Sequence, residues 1–224
     1  MSSVPSTSSA NQISTPTPTT EYPIPQDVLE AIEKVHNEGK KVIVMTCGIA
    51  GSGKSTLAQN LSTQHAYTRL SIDSLIHQHH GVFGRDYSAS LLPSLQDEAE
   101  SLLKSQLTSL LNAAETDIVL DLSLYSKDDR EFYRGVVERE GRGRYGIVLV
   151  VFRVRGTVEE VERVLWRRIE RRGEGWVRAR DEVGEDGERG EGREGMLVER
   201  GVLAGYLRGF EWPEGEGEVS VDVV

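Results

Sequence analysis

The chain has 224 residues, 38% hydrophobic and 28% charged, which is enough for one domain with a substantial core and a polar tail. Its net charge of −10 argues against a surface that holds long nucleic acid by neutralising phosphates, and no stretch approaches the roughly 20 apolar residues of a membrane-spanning helix. One cysteine, Cys47, cannot form an internal disulfide, which excludes a stapled secreted scaffold and points to the reducing cytoplasm, with the nucleus left open.

Residues 1–22 are rich in Ser, Thr and Pro, carry neither the apolar run of a secretory signal nor the Arg and Lys of a mitochondrial one, and are expected to be a disordered tail. The domain is expected over 23–224. Val28, Leu29, Ile32 and Val35 recur at helical spacing over 26–38, and this helix is expected to pack beside the first strand, the β-branched run KVIVMT at 41–46. That run alternates little, as a strand covered on both faces does.

A glycine-rich loop follows: Gly48-Ile49-Ala50-Gly51-Ser52-Gly53-Lys54-Ser55-Thr56, a full GxxxxGK[ST] match between a strand and a helix. Average residue frequencies give such a match by chance in about one per cent of chains this long, before the strand-loop-helix context is required. Glycines at 48, 51 and 53 let the backbone turn its N–H groups inward toward a phosphate chain at the helix N-terminus. Lys54 is placed for the β and γ phosphates of ATP, and the Ser55 hydroxyl for a magnesium ion. Cys47, at the loop entrance, reads as a small buried apolar residue.

A second strand is expected to end at 71–73, where a carboxylate, Asp73, would project beyond the sheet into the ligand crevice and could take the proton of a bound alcohol. In HQHHGVFGRDY, His77, His79 and His80 lack a cysteine or well-spaced carboxylate to complete a zinc site, and Arg85 could pair with an anionic acceptor. Pro93 opens a long helix to about 114 with a leucine stripe. The third strand, IVLDL at 118–122, ends on Asp121, where an acidic residue would hold magnesium, partly through water.

A polar helix follows over 128–140, then the most apolar strand at 145–154, then a helix over 157–172 that places Arg168 and Arg172 on one face and Arg167 and Arg171 on the next. The Gly, Glu and Arg run at 173–195 is expected to be a mobile lid or insertion, with a further helix at 196–210 and an edge strand at 219–223. Alternating strands and helices predict a three-layer α/β/α sandwich with a five-stranded, mainly parallel sheet.

The segment VIVMTCGIAGSGKSTLAQNL with RLSIDSLI resembles the P-loop kinases that include chloramphenicol phosphotransferase, polynucleotide 5'-kinases and zeta toxins. The resemblance implies ATP with magnesium, Asp73 as general base, Arg130 directed to substrate, arginines of the 157–172 helix clamping phosphates and adenine, and a small-molecule or nucleotide-like phosphate acceptor. Gly209-Phe210-Glu211-Trp212-Pro213 resembles a Phe-Glu-x-Pro element near the C-terminus of these kinases. A regulatory GTPase would carry an Asn-Lys-x-Asp signature and an Asp-x-x-Gly switch, and a ring-forming ATPase a helical second domain; the chain has neither set. A nucleotide-binding module without catalysis is the remaining alternative, and such a module has no use for an acceptor-side base.

Overall fold

The structure is a computed structural model that describes residues 23–181 and 200–223; the tail at 1–22 and most of the expected lid lie outside the described residues. Five strands, β1 (Lys41–Cys47), β2 (Thr68–Leu70), β3 (Ile118–Leu120), β4 (Tyr145–Arg153) and β5 (Val219–Asp222), form one sheet in the order β2-β3-β1-β4-β5. Every pairing is parallel. β1 and β4 align over their length from Lys41 opposite Tyr145 to Cys47 opposite Val151.

Parallel neighbours require crossovers, and helices supply them on both faces. Alternate β1 side chains therefore enter two separate cores. Val42 and Val44 pack with Val28 and Ile32 of α1 (Gln26–Asn37) and with Leu57, Ala58 and Leu61 of α2 (Lys54–His65). Ile43, Met45 and Cys47 face the opposite layer, built from α3 (Ile72–His80), α4 (Leu92–Ala113), α5 (Lys127–Gly141), α6 (Val158–Asp181) and α7 (Arg200–Gly209). In α4 the fully covered residues are Ala99, Leu103, Leu107 and Leu111, spaced by four so that they stack on one face. α1 lies over β4 as well as β1. A β-carbon on Gly146 of β4 would stand 2.5 Å from Val35 Cγ1, so the close approach depends on that glycine.

The second strand is shorter than its sequence predicts. β2 stops at Leu70, and the Ser71 hydroxyl accepts from Ser74 N at 3.4 Å, so Ser71 caps α3 and Asp73 lies in the first turn of a helix rather than on a strand end. α6 is longer than predicted, continuing to Asp181 through residues expected to begin the lid. No helix among the described residues is long and apolar enough to cross a membrane.

Candidate functional site

The strand order places the site. β3 inserts between β1 and β2, so the ends of neighbouring strands deliver the loop after β1, Asp121 after β3, and Asp73 after β2 side by side along the carboxyl edge of the sheet. A cleft of about 1660 Å³ opens there, lined by Ala50 to Thr56, Asp73, Asp121, Arg168 and Arg171 among others.

The loop has the shape its glycines predict. Gly48 (φ 149°) and Gly51 (φ 82°) occupy backbone conformations closed to most side chains, and a β-carbon on Gly51 would meet Leu165 O and Ile169 Cγ1 at 3.1 Å. Gly53 precedes the first residue of α2 and has a left-handed φ of 114°. The loop therefore leads directly into a helix N-terminus, where free N–H groups and the helix dipole favour an anion. Lys54, 8% exposed, donates from Nζ to Ile49 O at 2.9 Å, which holds its ammonium across the loop. Ser52 is 2% exposed, and its Oγ has no hydrogen-bond partner among the described residues. A buried hydroxyl without a partner is costly, and a free donor on a loop that leads into a helix N-terminus suits an oxygen of an anion such as phosphate.

Ser55 and Asp121 come together. Ser55 Oγ donates to Asp121 Oδ1 at 3.2 Å, while Arg69 grips Oδ2 from Nη2 at 2.6 Å and from Nε at 3.1 Å. The guanidinium fork fixes the carboxylate so that its other oxygen faces the serine hydroxyl. Two adjacent hard oxygen ligands suit magnesium, which takes few protein ligands and keeps waters and phosphate oxygens for the rest. Among the described residues no group of three or more His, Cys, Asp or Glu side chains is placed to hold a metal; His77, His79 and His80 occupy the last turn of α3.

Arg69 escaped the sequence reading. Its signal was an arginine inside a short strand next to the strand that ends at Asp121, because a half-buried guanidinium needs a carboxylate. Of the arginines on α6, Arg168 and Arg171 line the cleft, and Arg168 Nη2 comes within 3.8 Å of where a Gly53 β-carbon would stand. Among the described side chains the helix presents residues 168 and 171, three apart; the Arg172 side chain lies outside the described residues.

Two expected substrate residues are engaged elsewhere. Arg85 is exposed, does not line the cleft and is bound by Asp86, with Nη2 to Oδ2 at 2.8 Å. Arg130 is 1% exposed and fully committed: Nε and Nη2 reach Glu216 at 2.9 and 2.8 Å, and Nη1 donates to Leu124 O at 3.2 Å and Glu211 O at 2.8 Å. Burial works against its charge, but the hydrogen bonds and charge of Glu216 outweigh that and raise its pKa, while the guanidinium lowers that of Glu216. Arg130 is a structural tie rather than a substrate contact. It explains the Phe-Glu-x-Pro element: Glu211 N donates to Tyr125 O at 3.1 Å, Lys127 N donates to Glu211 Oε2 at 2.7 Å, and Phe210 packs on Tyr125 and Trp212. The element pins the loop after β3.

Cys47 is fully buried, and its Sγ–H donates to Leu124 O at 3.5 Å. Burial pushes its thiol up to about 11, against a smaller opposing pull from Arg130 and Lys54. Because the thiolate is the reactive species, native protein at pH 8 is expected to resist iodoacetamide for hours and to be labelled within minutes in guanidinium, read by mass spectrometry. Rapid labelling of native protein would show that the loop entrance opens.

A family model described as an AAA domain matches residues 43–180, from β1 into α6. No curated protein sequence matches. Among solved structures, a protein assigned as a kinase from Chloroflexus aurantiacus j-10-fl is similar at 17% identity, covering 82% of this chain and 85% of that one with a TM-score of 0.52, and shares its α/β fold. A gluconokinase from Sinorhizobium meliloti 1021 aligns at 19% identity, over 82% of both chains, with a TM-score of 0.45. Kti12 from Chaetomium thermophilum, solved with ADP-AlF3, aligns at 19% identity over 80% of this chain and 88% of that one with a TM-score of 0.48.

Proposed function

The chain belongs to the AAA domain family, and on that premise we propose that it is an ATP-dependent phosphotransferase, moving the γ-phosphate to a hydroxyl of a small-molecule or nucleotide-like acceptor. The observation that carries this reading is one cleft lined by a phosphate loop, the carboxylate of Asp121 and a second carboxylate, Asp73. A module that only binds nucleotide has use for the first two and none for the third.

In this mechanism the loop's backbone N–H groups at the turn into α2, from Gly53 to Thr56, and the Lys54 ammonium hold the phosphate chain. The N–H groups of Gly48 and Ser52 hold the loop's shape by donating to Ser123 O and Ile49 O. Arg168 and Arg171 approach the phosphate chain from α6, and Ser55 with Asp121 would hold magnesium. Magnesium, when bound, offsets charge on the β and γ oxygens. Asp73 accepts the proton of the acceptor hydroxyl as the oxygen attacks the γ-phosphorus and the bond to ADP breaks. Transferring phosphoryl groups pass through loose transition states with little covalent demand on the protein, so positioning and charge outweigh proton abstraction. Asp73→Asn is therefore expected to lower kcat by about 10²-fold, the low end for a general base, and to leave nucleotide affinity by calorimetry within about twofold of wild type. The assay is ATP consumption across nucleosides, oligonucleotide ends, sugars and small alcohols. An activity abolished by Lys54→Ala yet untouched by Asp73→Asn would remove Asp73 as the base.

A further inference from the structure

The walls of the cleft differ in charge. Among the described lining residues, the cations are Lys54, Arg168 and Arg171, all on the phosphate loop's helix or on α6. The wall formed by α3, α4 and α5 instead presents Asp73, Gln96, Glu100, Asp129 and Tyr133. Glu100 is paired with Lys104 Nζ at 2.7 Å along α4, and Asp129 Oδ2 accepts from Ser126 N at 3.1 Å in the cap of α5. Lys104 does not line the cleft, and the guanidiniums of Arg85 and Arg130 are turned to Asp86 and Glu216.

Tyr133 is the residue on this wall whose placement asks for a ligand. Its body is buried in the core, only 5% exposed, while it lines the cleft, and its hydroxyl is not among the buried oxygens left without a partner, so the hydroxyl is reachable from the cleft. Burial, then the charges of Glu100 and Asp129, raise its pKa to about 12, so it stays a protonated donor at neutral pH. A phenol whose ring is buried and whose hydroxyl reaches the cleft is a fixed, oriented donor for a ligand there. Among the described residues, an acceptor carrying phosphate or carboxylate would meet three carboxylates here with no cation to pair with it, whereas a hydroxyl or ammonium group would meet hydrogen-bond acceptors and one phenolic donor.

We propose that the acceptor is a small alcohol bearing no negative charge, seated between α3, α4 and α5 with its reacting hydroxyl at Asp73 and a second polar group on Tyr133. This rests on the phosphotransferase reading and narrows it, excluding anionic acceptors such as nucleotides and sugar acids. The test uses the full chain with ATP and magnesium on three size-matched panels of polyols: neutral, amine-bearing, and carboxylate- or phosphate-bearing. Product is followed by phosphorus NMR, and binding of a nonhydrolysable ATP analogue by calorimetry. Phosphorylation is expected only in the first two panels. Tyr133→Phe removes an oxygen that no described residue holds; it is expected to leave melting temperature and nucleotide affinity unchanged while raising the acceptor KM about fivefold, the scale of one neutral hydrogen bond. Phosphorylation confined to anionic acceptors, a Tyr133→Phe variant with unchanged acceptor KM, or nucleotide binding with no member of any panel phosphorylated would overturn the proposal. Failure to bind the nucleotide analogue at all would instead remove the phosphotransferase reading on which it stands.

Discussion

Lys54→Ala is expected to lower the rate of ATP turnover about 10³-fold, the scale of removing one fixed cation from a developing phosphoryl charge. The ammonium is nearly buried and held across its own loop by Ile49 O at 2.9 Å, so little reorganisation separates its resting position from one against a phosphate oxygen. A charge on a group as little exposed as Lys54 acts with a lower effective dielectric than one on the surface, which is why one group can carry so much. Arginine in its place is also expected to fail, because a planar fork does not fit where a point charge on a flexible stem lies. Calorimetry with an ATP analogue should show weakened binding together with slower turnover. A variant that turns over ATP within tenfold of wild type would show that the loop does not cradle the phosphates.

Arg130→Ala is expected to destabilise the protein by about 3–5 kcal/mol, because it strands the Glu216 carboxylate and two backbone carbonyls that the guanidinium now satisfies. For a chain of this size that is a fall in melting temperature of roughly 6–20 °C by circular dichroism. Arg130→Lys should recover part of it, since the charge survives but the four-way fork does not. The pair also has a pH signature. Arg130 holds Glu216 below the ordinary carboxylate range, so the pair's contribution is fully present above about pH 4.5 and is lost as pH falls through the depressed native value. The gap in stability between wild type and Arg130→Ala should therefore shrink in acid. A variant that melts like wild type but has a raised acceptor KM would return Arg130 to the substrate site.

These two residues mark what the sequence could disclose. The loop around Lys54 was legible because its chemistry is local: glycines that must turn, a lysine and a serine at fixed offsets, an apolar strand before and a helix after. The α4 stripe was legible for the same reason, since Ala99, Leu103, Leu107 and Leu111 repeat at one helical spacing. Arg130 was misjudged because its partner lies 86 residues away, and no spacing rule joins an α5 arginine to a glutamate before β5. The Arg69 to Asp121 pair spans 52 residues and was hidden likewise. The sequence predicts a strand reaching 71–73, whereas the Ser71 hydroxyl caps Ser74 N and α3 begins at Ile72, a local choice between strand and helix that the strand's apolar run does not decide. The rotation of α6 could not be fixed, since residues 171 and 172 differ by about 100° about the axis and either shares an edge with Arg168.

A β-carbon on Gly51 would crowd Leu165 O and the Ile169 side chain at 3.1 Å, so the nucleotide loop packs closely on the middle of α6. A side chain at position 51 would push the two apart. Arg168, carried on that same turn, is thus aligned as the chain folds rather than recruited when a ligand arrives, and the entropy of restraining its long side chain need not be drawn from the affinity for nucleotide.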